Sequence, residues 1–323
     1  ASTAMNFDVF NGDADGICAL LQLRLTDPRD ATLVTGIKRD IALLSRVAAV
    51  PGDHITVLDI SMAKNQQPLR RLLDSDVTID YVDHHAPGDI PKHRGLTVTI
   101  SEASEVCTAL LMNGRLRGAQ VAWAVVGAFG DNLDEPALKL GAKSAMSTEE
   151  LRALRELGVC INYNGYGTEI EDLHFHPAKL YEKLYEAANP QVFLQSDDFA
   201  TLRDGYNSDI AASGSLTPLV VEQSFSAYQL PDKPWARRVS GVFSNQLVRA
   251  SPDRAHAVLT ERGDGAFLVS VRAPFNHRVG ADRVCSNFET GGGRAAAAGI
   301  NRLPASDVEL LFAALAAEYG DQR

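Results

Sequence analysis

A chain of 323 residues is long enough for two domains of about 100–200 residues each, and its 45% hydrophobic and 22% charged residues exclude global disorder. No apolar run approaches the roughly 18–20 residues needed to cross a bilayer. The formal net charge of −10 argues against a protein whose main business is coating long nucleic acid, because that needs a basic face.

The charge is unevenly spread. Residues 235–323 carry eleven Arg, no Lys and nine acids, or +2, while the other 234 residues carry 20 basic and 32 acidic side chains, or −12. Arg grips phosphate through two parallel hydrogen bonds, so an all-Arg module suits a phosphate-binding half, although an Arg-rich genome gives the same bias. The start lacks the basic-then-apolar pattern of a secretory signal, which leads to the expectation of a cytoplasmic protein, and residues 1–4 read as a remnant ahead of Met5. Cys18, Cys107, Cys160 and Cys285 lie far apart and read as free buried thiols.

From Phe7 to Asn11 an extended run meets a Gly-Asp turn, and Ile17, Leu20, Leu21 and Leu25 then recur at helical spacing. The alternation repeats with a strand at Thr32–Ile37, a helix at Ile41–Val50, a strand at His54–Ile60, a helix at Gln67–Asp74 and a strand at Val77–Val82. Strands alternating with helices predict a parallel sheet, whose ligands gather at the carboxyl ends of the strands. Asp13, Asp15, Asp59 and Asp83 all fall at or just after such ends. Val106–Gly130 and Thr148–Leu157 read as mostly helical and complete a first domain over residues 5–190. Helices around Ala178–Ala188 and Phe199–Ala212 lead to a Gly/Ser/Pro-punctuated stretch from Ser213, so residues 191–234 read as a helical connection and linker. In residues 235–323, strands Ala255–Glu261 and Ala266–Ala273 flank the hairpin loop Arg262–Gly265. The fold class is therefore α/β, with a parallel-sheet first domain and a smaller mixed second one.

The chemistry is concentrated in Asn11-Gly12-Asp13-Ala14-Asp15-Gly16, in Asp59 and Asp131, and in the triplet Asp83-His84-His85. Carboxylates with imidazoles suit Mn²⁺ or a similar divalent ion, and two such ions about 3.5–4 Å apart serve phosphoester hydrolysis. Taken singly, Asp13 and Asp15 also fit a solvated turn or a calcium loop, and each His a core position.

At these residues the chain resembles the DHH phosphoesterase superfamily. Its four motifs are matched by Asn11–Gly16, by Asp59 in Val57-Leu58-Asp59-Ile60-Ser61, by Asp83-His84-His85 and by Asp131 in Gly130-Asp131-Asn132; Gly291-Gly292-Gly293-Arg294 with Ala297-Ala298-Gly299 is similar to the DHHA1 signature. The resemblance implies a catalytic domain and a DHHA1 domain with the active-site cleft between them. It implies two Mn²⁺ ions, with Mg²⁺ or Co²⁺ as substitutes. One ion would be held by Asp13 and Asp59, the other by Asp15, Asp59, His84 and Asp131, with Asp59 bridging. Asp83 would orient His84 or a water, and His85 would face the scissile phosphate. Two positions depart from the family pattern. Val9 stands where many members have His, leaving Asn11 as the substitute ligand, and Arg294 stands where the signature has His. Substrate contacts are expected from Arg294, the Gly291, Gly292 and Gly293 amides, Arg272, His277, Arg278 and Ser104; the glycines also fit packing against the neighbouring helix, and Ser104 also fits a helix cap.

The implied activity is hydrolysis of 5′-phosphorylated linear dinucleotides or very short oligoribonucleotides, such as pGpG or pApA, to mononucleotides. Alternatives are a cyclic-dinucleotide phosphodiesterase, a pAp phosphatase, a RecJ-like single-strand exonuclease, or a nucleotide sensor without turnover. The partner would be a short nucleotide, with no long nucleic acid and no membrane; a homodimer is compatible with this reading.

Overall fold

The computed structural model describes residues 3–320 and divides into two compact units, Ala1–Asp204 and Gly205–Arg323. In the first, strand β1 (Asn6–Phe10) leads into helix α1 (Ala14–Thr26), followed by β2 (Thr32–Val34), β3 (His54–Leu58), α2 (Gln66–Asp74), β4 (Thr78–Asp83) and β5 (Leu96–Ile100). The five strands are all parallel in the order β2-β1-β3-β4-β5. Helices α3 (Thr108–Arg115), α4 (Val121–Gly130), α5 (Asp134–Lys143), α6 (Thr148–Asn164), α7 (Pro177–Ala187) and α8 (Pro190–Leu194) follow, and α9 (Asp197–Gly214) runs across the boundary.

Strand alternation sorts β1 between two faces. Phe7 and Val9 enter an apolar layer with Leu43, Leu44, Ile55, Val57, Leu69 and Tyr81. Asp8 faces the other way and takes the Arg24 guanidinium of α1 at 2.6 Å, both side chains almost fully buried. This charged pair ties the first helix to the first strand, and α1 then packs on α3, α4 and α7.

Several elements differ from the sequence reading. The second strand stops at Val34 rather than Ile37, and Thr35 turns to donate its hydroxyl to Phe10 O at 2.6 Å. The helix expected over 41–50 is one short 3₁₀ turn, Leu43–Arg46. The Asn65 side chain accepts from Leu44 N at 3.2 Å and donates to Ile41 O at 2.7 Å, taking backbone groups a helix would have used, and Pro51 disfavours helix at Val50. The strand expected to Ile60 ends at Leu58, since Asp59 has a positive φ of 65°. The edge strand β5, Leu-Thr-Val-Thr-Ile, was not anticipated despite its β-branched residues.

The second unit contains β6 (Val220–Val221), β7 (Phe225–Leu230), α10 (Pro234–Ala250), β8 (Ala255–Glu261), β9 (Phe267–Arg272), α11 (Ala281–Ser286), β10 (Gly291–Gly293), β11 (Ala297–Leu303) and α12 (Val308–Tyr319). Its sheet runs β10-β11-β9-β8-β7-β6, with β7 and β8 parallel through α10 and the remaining neighbours antiparallel. The stretch read as a linker therefore supplies β7, a strand whose Phe225 and Ala227 enter the core beside Leu259, Val271, Ile300 and Leu315. The expected hairpin is present, closed by Arg262 N donating to Ala266 O at 2.8 Å. All four cysteines are free and buried. Among the described residues no helix is long and apolar enough to cross a membrane.

Candidate metal centre

The ends of β1, β3 and β4 deliver the acidic residues to one place. The β1–α1 loop runs so close to the end of β2 that a side chain at Gly12 would place its Cβ 1.9 Å from Gly36 O. Asp13 caps α1, accepting Gly16 N at 3.0 Å. Asp15 lies in the first turn of α1 and accepts Thr108 N at 3.1 Å and Ala109 N at 2.7 Å, so it also supplies the start of α3, whose own cap residue Cys107 makes no capping bond through its side chain. Asp59 leaves β3 in the left-handed region, its amide donating to Val82 O at 3.0 Å and its carboxylate accepting the Thr108 hydroxyl at 3.0 Å. A non-glycine residue held at positive φ after a central strand is strain of the kind that collects at functional sites.

His84 joins these acids. Its Nε2 lies 3.3 Å from Asp15, 3.2 Å from Asp59 and 3.9 Å from Asp131 at the end of α4. Burial, then the neighbouring Asp15, Asp13 and Asp131 carboxylates, push the Asp59 pKa well above its ordinary value. Burial is also the leading reason that His84 is lowered, which keeps its imidazole neutral and able to ligate. Carboxylates crowded around a neutral imidazole are the donor set of a hard divalent cation, which would reverse the penalty on Asp59. Asp83 adds a fully buried Oδ2 with no hydrogen-bond partner among the described residues, and one donor atom from each of Asp59, Asp83, His84 and His85 falls within 4.8 Å of the others. The donors fit a divalent metal, and Asp15, Asp59, His84 and Asp131 are the residues that would hold it. The Cys107 thiol lies beside Asp15 and Asp131 as a further donor, and burial and then Asp15 push its pKa well up; a hard cation prefers the carboxylates to the thiol.

Three details bear on the expected roles. Asp83, the last residue of β4, holds His85: its Oδ1 accepts from His85 Nδ1 at 2.7 Å. Asn11 is given to the loop, accepting Asp13 N at 3.0 Å and donating to Lys38 O at 3.1 Å. Asp13 holds the Lys38 ammonium at 2.8 Å. Burial alone would raise the Asp13 pKa, but Lys38 and the Gly16 amide outweigh it and hold the value at about 2.

No protein-family model matches the sequence, and no curated protein matches it significantly. Solved structures do. The exonuclease RecJ bound to manganese is 18% identical, with a TM-score of 0.64 over 99% of this chain and 91% of that one. A protein described as the DHH domain of a member of a family of ribosomal proteins is 14% identical, with a TM-score of 0.64 over 98% and 86%. The chain has the DHH fold. The pGpG-specific phosphodiesterase PggH from Vibrio cholerae shares it at 13% identity, with a TM-score of 0.57 over 97% of this chain and 99% of that one. All the DHH-motif residues, Asn11, Asp13, Asp15, Asp59, Asp83, His84, His85 and Asp131, lie in the first unit.

Residues expected to touch substrate are less uniform. Ser104 is exposed in a turn, and α3 starts four residues later at Thr108, so Ser104 is not its cap. Arg272 is half-buried and donates to Asn245 Oδ1 at 3.2 Å and Ser270 Oγ at 2.8 Å. Arg278 stacks at 4.1 Å on the Phe275 ring, while His277 and Arg294 are exposed. Gly291–Gly293 form the edge strand β10 rather than an open loop, and the Gly291 amide donates to Phe288 O. A Cβ at Gly291 would sit 1.8 Å from Cys285 O, and one at Gly293 2.5 Å from Ala298 Cα, whereas nothing lies within 4 Å of one at Gly292. Gly291→Ala should therefore lower the melting temperature of the second unit while Gly292→Ala leaves it nearly unchanged. Equal thermal shifts in the two variants would refute the packing role.

Sequence reasoning missed Lys38 and Thr108. The rule that parallel-sheet ligands follow strand ends applies equally to β2, after which Lys38 lies, and a Thr opening a helix beside motif residues was a second signal.

Proposed function

We propose that the chain is a divalent-metal-dependent phosphodiesterase, served by Mn²⁺, that hydrolyses 5′-phosphorylated linear dinucleotides or very short oligoribonucleotides such as pGpG or pApA to mononucleotides. The observation that carries the reading is the convergence of Asp15, Asp59 and Asp131 on His84 Nε2 beside the Asp83–His85 pair. The likeness to PggH, which leaves almost none of either chain unmatched, supports a small substrate.

When bound, a divalent ion would neutralise the carboxylates and polarise a phosphoryl oxygen. The protein's own groups do the rest. Thr108 fixes one Asp59 oxygen and, through its amide, one Asp15 oxygen. Asp83 accepts the His85 Nδ1 proton and so sets the tautomer, which makes Nε2 the nitrogen that exchanges a proton with the substrate. Arg294, exposed with no side-chain partner among the described residues, supplies a fork for a substrate phosphate. Arg294→Ala should lower kcat/KM for 5′-phosphorylated dinucleotides about tenfold to a hundredfold, the equivalent of roughly 1.5–3 kcal/mol. Unphosphorylated dinucleotides should lose less, and equal losses would remove Arg294 from phosphate recognition.

The test of the function is a Mn²⁺ hydrolysis screen over pGpG, pApA, longer 5′-phosphorylated RNA, single-stranded DNA, pAp and cyclic dinucleotides. Fastest release of mononucleotides from the linear dinucleotides is expected. A preference for long single strands would favour exonuclease action, the second reading supported by the fold likeness to RecJ. Tight nucleotide binding without turnover would instead make the protein a sensor.

A further inference from the structure

We propose that the Lys38 ammonium takes the place of one of the two cations, so that the centre works with a single divalent ion at Asp15, Asp59, His84 and Asp131 and a fixed lysine charge at Asp13. The inference rests on reading this cluster as a metal centre.

The position next to Asp13 is poorly built for a metal and well built for an ammonium. Val9 is fully buried in the apolar layer and offers no donor. Asn11 contributes a neutral amide whose oxygen accepts Asp13 N and whose nitrogen donates to Lys38 O. Both Asp13 oxygens are engaged, Oδ1 by Gly16 N at 3.0 Å and Oδ2 by Lys38 Nζ at 2.8 Å. A divalent ion on the same carboxylate would meet the ammonium at close range.

Lys38 is also held in place rather than straying in from the surface. Its amide donates to Gly165 O at 2.9 Å, its carbonyl accepts from Asn11, and its ammonium lies 5.6 Å from the centroid of the Tyr166 ring. The ion pair gives the buried Asp13 the counter-charge it requires. An ammonium is a compact point charge with three donors, suited to a phosphoryl oxygen as well as to a carboxylate. With one ion per centre, hydrolysis should rise with Mn²⁺ as a single-site saturation.

The experiment is a titration of the metal-stripped full chain with Mn²⁺, read by calorimetry and electron paramagnetic resonance. One tightly bound ion per chain with an uncoupled six-line signal is expected. Lys38→Met, which frees Asp13, should raise the stoichiometry to two, the second ion weaker than the first. Two ions in the unaltered chain, with an exchange-coupled signal, would overturn the proposal even if the variant fails to fold, and so would a folded Lys38→Met chain that still takes one. Hydrolysis measured on the same samples separates the two readings. One ion without turnover would keep the lysine and refute the proposed function, whereas two ions with turnover would do the reverse.

Discussion

Asp59→Asn should abolish both tight Mn²⁺ binding and Mn²⁺-dependent hydrolysis while leaving the protein folded. Asp59 is almost fully buried, lies 3.2 Å from His84 Nε2 and is fixed by the Thr108 hydroxyl. Replacing this carboxylate by a neutral amide removes a ligand's charge from the metal site. The loss should exceed the roughly 10–100-fold typical of a residue that only supports a ligand. Thermal unfolding checks that the fold survives, and the sign of its pH dependence is set by the raised pKa. The folded state binds the Asp59 proton more tightly than the unfolded chain, so this group's contribution is fully present below its ordinary 3.8 and is lost as pH rises through the raised value. In chelator at neutral pH, Asp59→Asn should therefore melt at or above the unaltered protein. Mn²⁺ should raise the melting temperature of the unaltered protein alone, with an affinity that grows with pH as the Asp59 proton is expelled. A folded Asp59→Asn protein with near-normal Mn²⁺-dependent activity would remove the assigned centre.

The acidic cluster was legible because a general rule, that parallel strands gather ligands at their carboxyl ends, coincided with isolated Asp residues at three such ends. What was not legible depended on where chains leave strands. Extending β2 to Ile37 hid the turn at Thr35 that brings Lys38 to Asp13. Ending β4 at Val82 rather than Asp83 hid the pairing of Asp83 with the residue two further on. The helix expected over 41–50 was lost to a competitor far along the chain, the Asn65 amide, which no local periodicity reveals. β7 was hidden by the Gly, Ser and Pro on either side of it and by burial on both faces, which removes the alternation that marks a half-exposed strand. The glycine triplet was read first for its amides and second for packing on the neighbouring helix, and the backbone atoms set against Gly291 and Gly293 favour the second.

His85→Gln should lower kcat by about 10²–10⁴-fold, the range of a positioned acid–base group, with Mn²⁺ affinity changed little. The contrast with its neighbour is built into the geometry. His84 Nε2 points at Asp15, Asp59 and Asp131, whereas His85 turns Nδ1 to Asp83 at 2.7 Å and keeps a side chain 31% exposed. The rings sit with centroids 4.3 Å apart, His84 turned to the carboxylates and His85 partly open to solvent. Glutamine keeps polar atoms in that space but has no nitrogen that titrates near neutrality. Asp83→Asn separates orientation from presence: it leaves the imidazole but exchanges a carboxylate acceptor for an amide, so the pH profile of kcat should shift while Mn²⁺ stoichiometry holds. If His85→Gln lost metal as His84→Gln does, or if Asp83→Asn left the pH profile where it was, proton exchange through His85 would fail and the residue would join the ligands.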